Sequence, residues 1–244
     1  MILIAGDSWG CGEWPFTDRP PKIFNSRLMR PCHKGLEQFL IDNQKKVVNI
    51  SFGGATPRGI IQRITKQCTA SFALKVSRMF VFQTEWTRDY DPKSTPFSTT
   101  LAEEMILQWY KDLSTLSLKY NFPVYLIGGC SDVMRVNNFD EKFPGLAIAC
   151  QSMTNLLVNH NHEITQPVFC VRPEEWRIGD IKRSIAHTSE NDKMQSLVNL
   201  VESGQHRDQI WKDNPQWFWP DGVHANRHGH GKLYNFLQER EYFD

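Results

Sequence analysis

The chain opens Met1-Ile2-Leu3-Ile4-Ala5-Gly6-Asp7-Ser8-Trp9, and the reading of these residues decides the fold. Ile2 to Ala5 is an unbroken apolar run that stops at once in Gly6-Asp7-Ser8. Unbroken rather than alternating hydrophobicity suits a parallel strand covered on both faces. Runs of the same kind recur at 47–50, 79–82, 124–127 and 168–171, so five buried strands are expected. Helical patterns fill the gaps. One spans 34–42. Thr56-Pro57, an N-cap with Pro at the first helical position, opens another that reaches about residue 68. Thr100-Leu101-Ala102-Glu103 fits a capping box for a helix to about residue 120. Further helices are expected over 145–160, 191–202 and 228–239. This β-α alternation predicts an α/β fold: an open, mostly parallel sheet with helices on both faces.

Composition narrows the function. The 244 residues suffice for one large α/β domain, and no linker or repeat divides them. Hydrophobic residues make up 40% and charged residues 23%, as in ordinary globular proteins. A net charge of +1 offers no basic excess for a nucleic-acid partner. The six cysteines are scattered without a Cys-x-x-Cys pair, which points to reduced thiols rather than a zinc ribbon or a disulfide framework. The N-terminus lacks the basic and apolar regions of a signal peptide, and no stretch nears the ~20 apolar residues of a membrane span. A cytoplasmic location without a membrane partner is expected.

Two long connections, 9–31 and 84–98, leave the ends of the first and third strands, where ligands bind in open α/β sheets. Both are aromatic. Trp9 and Trp86 are therefore candidate substrate contacts, as is Trp219 in Trp217-Phe218-Trp219-Pro220.

Two short motifs carry chemistry. Gly6-Asp7-Ser8 follows the first strand and can aim a serine hydroxyl into the crevice at the sheet edge. Asp221-Gly222-Val223-His224 precedes the last helix; its spacing across a turn can bring a carboxylate beside an imidazole. A serine nucleophile needs such a base, and the base needs such a carboxylate. Either motif alone is common in turns. Their placement at the two ends of the chain resembles the SGNH (GDSL-like) hydrolase family, whose first block is Gly-Asp-Ser and whose last is Asp-x-x-His. The resemblance spans nearly the whole chain through these short blocks. It implies a flavodoxin-like three-layer α/β/α sandwich, with Ser8 as nucleophile, His224 as base and Asp221 as its partner.

The family's second block supplies a glycine N–H to the oxyanion. Here Ser51-Phe52-Gly53-Gly54-Ala55-Thr56 takes that place, with Gly53 and Gly54 both candidates and Gly54 preferred. The Ser8 N–H is the companion donor. The third block departs from the family's Gly-x-Asn-Asp. The chain reads Gln83-Thr84-Glu85-Trp86, and Glu85 stands where asparagine would donate. A carboxylate only accepts hydrogen bonds. Gln83 is the expected substitute donor. Glu85, a candidate substrate contact, works against the oxyanion unless an arginine such as Arg88 pairs with it or it binds substrate hydroxyls.

His224, His228 and His230 invite a metal reading, but their rings should diverge at a helix start, and no metal or cofactor is expected. The expected activity is hydrolysis of a short acyl ester, acetyl being preferred, on a small molecule or glycan. Acyl transfer through the same residues, or a binding module on an impaired site, are the alternatives.

Overall fold

Four of the apolar runs form strands where the sequence places them. The computed structural model describes residues 1–13, 31–70, 75–89, 99–168, 207, 209–219 and 224–244. Strands β1 (Ile2–Ala5), β2 (Val47–Asn49), β3 (Arg78–Phe82) and β4 (Val124–Ile127) are joined by β5 (Leu146–Cys150). All pair in parallel, in the order β2-β1-β3-β4-β5. That is the flavodoxin-like doubly wound order.

The fifth strand corrects the sequence reading. Residues 145–160 are not one helix. They divide into β5 and a helix, α6 (Met153–Asn159), while the expected strand at 168–171 lies outside the described residues except for Val168, which is not in a strand. Leu146-Ala147-Ile148-Ala149-Cys150 is a short apolar run, and periodicity alone does not separate such a run from a buried helix. The break is local: Ser152 caps α6, its Oγ accepting the Asn155 N–H at 3.1 Å.

Further helices with described bounds are α1 (Ser8–Cys11), α2 (Leu36–Asp42), α3 (Pro57–Ala70), α4 (Thr99–Tyr120), α5 (Phe139–Lys142) and α7 (Arg227–Gln238), with a 3-10 turn at Trp86–Asp89. Thr56 acts at the start of α3 as expected, its Oγ1 accepting the Gly59 N–H at 3.0 Å. The expected helix over 191–202 lies outside the described residues. Alternation along each strand divides the core in two. Leu3, Ala5, Met79, Val81, Val124 and Leu126 pack against α3 and α4 on one face. Ile2, Ile4, Phe80 and Phe82 pack against α2, α6 and α7 on the other. Three layers, α/β/α, result.

Cys11, Cys32, Cys68 and Cys150 are free thiols. Among the described residues no helix is long and apolar enough to cross a membrane.

Candidate active site

The strand order reverses between β1 and β3, and in doubly wound sheets the ligand crevice opens outside the carboxyl ends at that switch point. Gly6-Asp7-Ser8 leaves β1 there, and Gln83-Thr84-Glu85 leaves β3 beside it. The two exits nearly touch. A Cβ on Gly6 would lie 2.7 Å from Phe82 Cβ, and φ is +155° at this residue, so only glycine fits. Asp7 then caps α1, its Oδ1 accepting the Trp9 N–H at 3.0 Å. Ser8 is the first residue of that helical turn and is buried.

Trp9 points away from the crevice. Its side chain is 1% exposed, with its ring 5.4 Å from Trp211 and 6.3 Å from Phe218. Its expected role as a substrate contact is corrected: Trp9 anchors the serine turn in the core. Asn49 Nδ2 donates to Gly10 O at 2.8 Å and holds the same turn from β2. A neighbouring thiol offers no rival nucleophile. Burial, and then the Asp7 charge, push the Cys11 thiol up to about 12, far from thiolate at neutral pH.

His224 stands at the base of a hairpin. Phe218 and Ala225 form an antiparallel bridge, and the Trp219 N–H donates to His224 O at 2.7 Å. Pro220 to Val223, and with them Asp221, lie outside the described residues. His224 is buried, and Trp219 is partly buried on the hairpin stem. Asn226 closes the hairpin and starts α7, its Oδ1 accepting the Gly229 N–H at 3.0 Å.

Two buried carboxylates fasten this segment at both ends. Upstream, Arg207 grips Asp132, at the exit of β4, with Nη1 to Oδ1 at 2.9 Å and Nη2 to Oδ2 at 2.7 Å. Downstream, Arg227 grips Glu13, beyond α1, through Nε at 3.1 Å, Nη2 at 3.1 Å and its backbone N–H at 2.5 Å. The Glu13 contact draws the serine segment and the histidine segment together. No sequence signal marked either pair, because each joins residues far apart in the chain.

Gly54 lies in a turn closed by the Ala55 N–H donating to Phe52 O at 2.9 Å, with φ +75°. It is exposed, whereas the Gly53 N–H is turned toward the Cys11 thiol. Gly54 therefore remains the better donor candidate. Gln83 does not. Its Nε2 donates to Asp132 O at 2.6 Å and its Oε1 accepts from Tyr110 OH at 2.6 Å. Both ends of the amide serve the fold, which corrects its expected place in the oxyanion site.

Glu85 is buried and pairs with an arginine: Arg88 Nε donates to its Oε2 at 2.9 Å. Arg88 Nη1 also donates to Asp7 Oδ2 at 3.0 Å. Burial works against the Arg88 charge, but the Asp7 and Glu85 carboxylates outweigh it and raise its pKa above the ordinary value. The Trp86 side chain lies outside the described residues. His228 is exposed while His230 is fully buried. Among the described residues no three His, Cys, Asp or Glu side chains gather to hold a metal.

No family model and no curated protein matches the chain. Among solved structures, the chain is similar to the psychrotrophic esterase EstA from Pseudoalteromonas sp., at 11% identity and a TM-score of 0.45, covering 99% of this chain and 97% of that one. It is similar to Est24, a carbohydrate acetylesterase from Sinorhizobium meliloti, at 10% identity and a TM-score of 0.44, covering 100% and 99%. A member of the lipolytic protein G-D-S-L family from Veillonella parvula DSM 2008 is 14% identical with a TM-score of 0.40, covering 100% and 98%. At these values the functional reading rests on the chain's own residues.

Proposed function

We propose that this protein is a serine hydrolase that cleaves carboxylic esters. Ser8 Oγ attacks the acyl carbon while His224 takes its proton, and Asp221 holds the imidazole in the right tautomer. The N–H groups of Ser8 and Gly54 receive the negative oxygen of the tetrahedral intermediate. Its collapse breaks the ester C–O bond, and His224 returns the proton to the leaving alcohol. Water then attacks the acyl-enzyme, with His224 accepting its proton and passing it to Ser8 as that residue departs.

The observation that carries this reading is the Glu13–Arg227 pair. It draws together the two segments that bear Ser8 and His224, at the end of the sheet where the strand order reverses. A short acyl group, acetyl first among them, on a small alcohol or a sugar is the proposed substrate. Neither a metal nor a cofactor enters the scheme.

A fluorophosphonate probe tests the nucleophile. Wild type is expected to label at Ser8, with labelling absent in Ser8→Ala and sharply reduced in His224→Ala. Equal labelling of wild type and Ser8→Ala would overturn the assignment. Turnover of aryl acetates against aryl butyrates then reads the acyl preference.

A further inference from the structure

Arg88 sits where the third block departs from the family pattern, and one of its nitrogens joins three strand exits. Nη1 lies 3.0 Å from Asp7 Oδ2 beyond β1, 3.1 Å from Ala55 O beyond β2, and 2.8 Å from Thr84 Oγ1 beyond β3. Nε holds Glu85 Oε2 at 2.9 Å. Thr84 Oγ1 reinforces the joint, 2.9 Å from Asp7 Oδ2 and 3.0 Å from Ala55 O. Asp7 immediately precedes Ser8, and Ala55 immediately follows Gly54. The Asp7 side chain is 0% exposed and that of Glu85 3%, so water does little to screen either carboxylate.

We propose that Arg88 is the positioning and charge-balancing residue of the oxyanion site. Through Asp7 it holds the Ser8 turn, through the Ala55 carbonyl it holds the turn that carries Gly54, and its guanidinium offsets charge on two buried carboxylates where the ester carbonyl oxygen turns negative. The inference rests on the ester-hydrolase reading. It explains how the third block functions without the usual asparagine: a carboxylate at position 85 is tolerable because Arg88 is paired with it. The planar fork of arginine suits several fixed acceptors at once, which a lysine ammonium on a flexible stem does not.

The test compares wild type, Arg88→Gln, Glu85→Gln and the double variant on 4-nitrophenyl acetate, with thermal melts confirming that each is folded. Arg88→Gln removes the guanidinium counter-charge that both carboxylates face and is expected to lower kcat about 100-fold, with KM within about threefold. The double variant removes one negative charge along with the positive one, returning the cluster to the net charge of wild type, and is expected to recover at least about tenfold over Arg88→Gln. A purely structural arginine predicts no recovery, because the double variant lacks still more bonds. Should Arg88→Gln not fold, Arg88→Lys is read instead; it is expected to lose about tenfold in kcat. An active wild type with full kcat in these Arg88 variants, or a double variant no better than Arg88→Gln, overturns the inference alone. A wild type that neither turns over the ester nor labels at Ser8 overturns the hydrolase reading and this inference with it.

Discussion

Glu13 and Arg227, 214 positions apart, meet through three hydrogen bonds to the Glu13 carboxylate. Oε2 accepts both the backbone N–H and Nε of Arg227, and Oε1 accepts Nη2. Glu13 follows the serine turn closely, and Arg227 opens α7 just after His224. The contact thus works as a buckle between nucleophile and base. Its carboxylate is buried although the Arg227 side chain is 52% exposed.

Acid should open the buckle. Burial raises the Glu13 pKa, but the hydrogen bonds from Arg227, and then its charge, prevail and hold it below the ordinary 4.5. A lowered native pKa means stability that is present above 4.5 and lost as pH falls through the native value. Glu13→Gln should therefore melt below wild type near neutral pH, with the gap closing under about pH 4.5. Thermal melts from pH 7 to 3.5 check this, and a gap that widens on acidification would refute it. Ser8 labelling should slow in Glu13→Gln at neutral pH, since the base segment loses a tether to the serine segment.

Gln83 should prove a structural residue. Its amide links Asp132 O to Tyr110 OH, and Tyr110 OH in turn accepts the Met134 N–H at 3.0 Å. Gln83→Ala takes an acceptor from the buried Tyr110 hydroxyl and a donor from the buried Asp132 carbonyl, at about 1–3 kcal/mol each. Urea unfolding should show a loss of about 2–5 kcal/mol. The kcat of the folded fraction should fall by less than about tenfold, against the 10²–10³-fold typical of a lost oxyanion donor. Full stability with a large kcat loss at constant KM would return Gln83 to the oxyanion site.

Local information carried much of the fold and only part of the site. The first four strands were legible because each is an apolar run ended by a turn residue. The fifth was not, since 146–150 reads equally well as a helix until Ser152 caps the next element. Ser8 and His224 were legible through short motifs at the chain ends. Trp9 was misplaced because exposure at a strand exit depends on what packs there, here Trp211 and Phe218 from far downstream in the chain. The pairs Glu13–Arg227, Asp132–Arg207 and Asp7–Arg88 were illegible for the same reason. A charged side chain in sequence is a solvated surface until tertiary structure supplies its partner.

Asp132 and Arg207 should behave as a coupled unit. Their side chains are 0% and 6% exposed, and Asp132 Oδ2 also accepts the Val168 N–H at 2.9 Å. Losing either partner breaks a buried, bidentate charge pair, so Asp132→Asn or Arg207→Met should each cost about 3–5 kcal/mol. The double variant should cost less than the sum, because the one pair is lost only once. A double-mutant cycle by urea unfolding measures the coupling. Simple additivity would mean that the pair is solvated or loosely held.

The last prediction concerns His230, which the proposed mechanism does not use. It is 0% exposed, and neither ring nitrogen has a hydrogen-bond partner among the described residues. Its ring lies edge-on to Phe82 at 6.3 Å and fills the space beside Gly35. Burial, then the neighbouring His33 charge, lower its pKa from 6.5 to about 3, so it is folded as the neutral form. Its contribution is present above 6.5 and is lost as pH falls, because the unfolded chain takes up a proton that the native state refuses. His230→Leu removes that proton from the balance. Relative to the leucine variant, wild type should lose about 1.4 kcal/mol per pH unit below 6.5, or about 2 kcal/mol by pH 5. His33 and His162 also titrate low through burial, but they remain in both proteins and cancel to first order in the difference. Urea unfolding at pH 7.5, 6 and 5 reads that difference directly. A constant gap would mean that His230 carries its proton in the native state, and so that its ring has found an acceptor; a widening gap identifies a neutral imidazole retained in an apolar site.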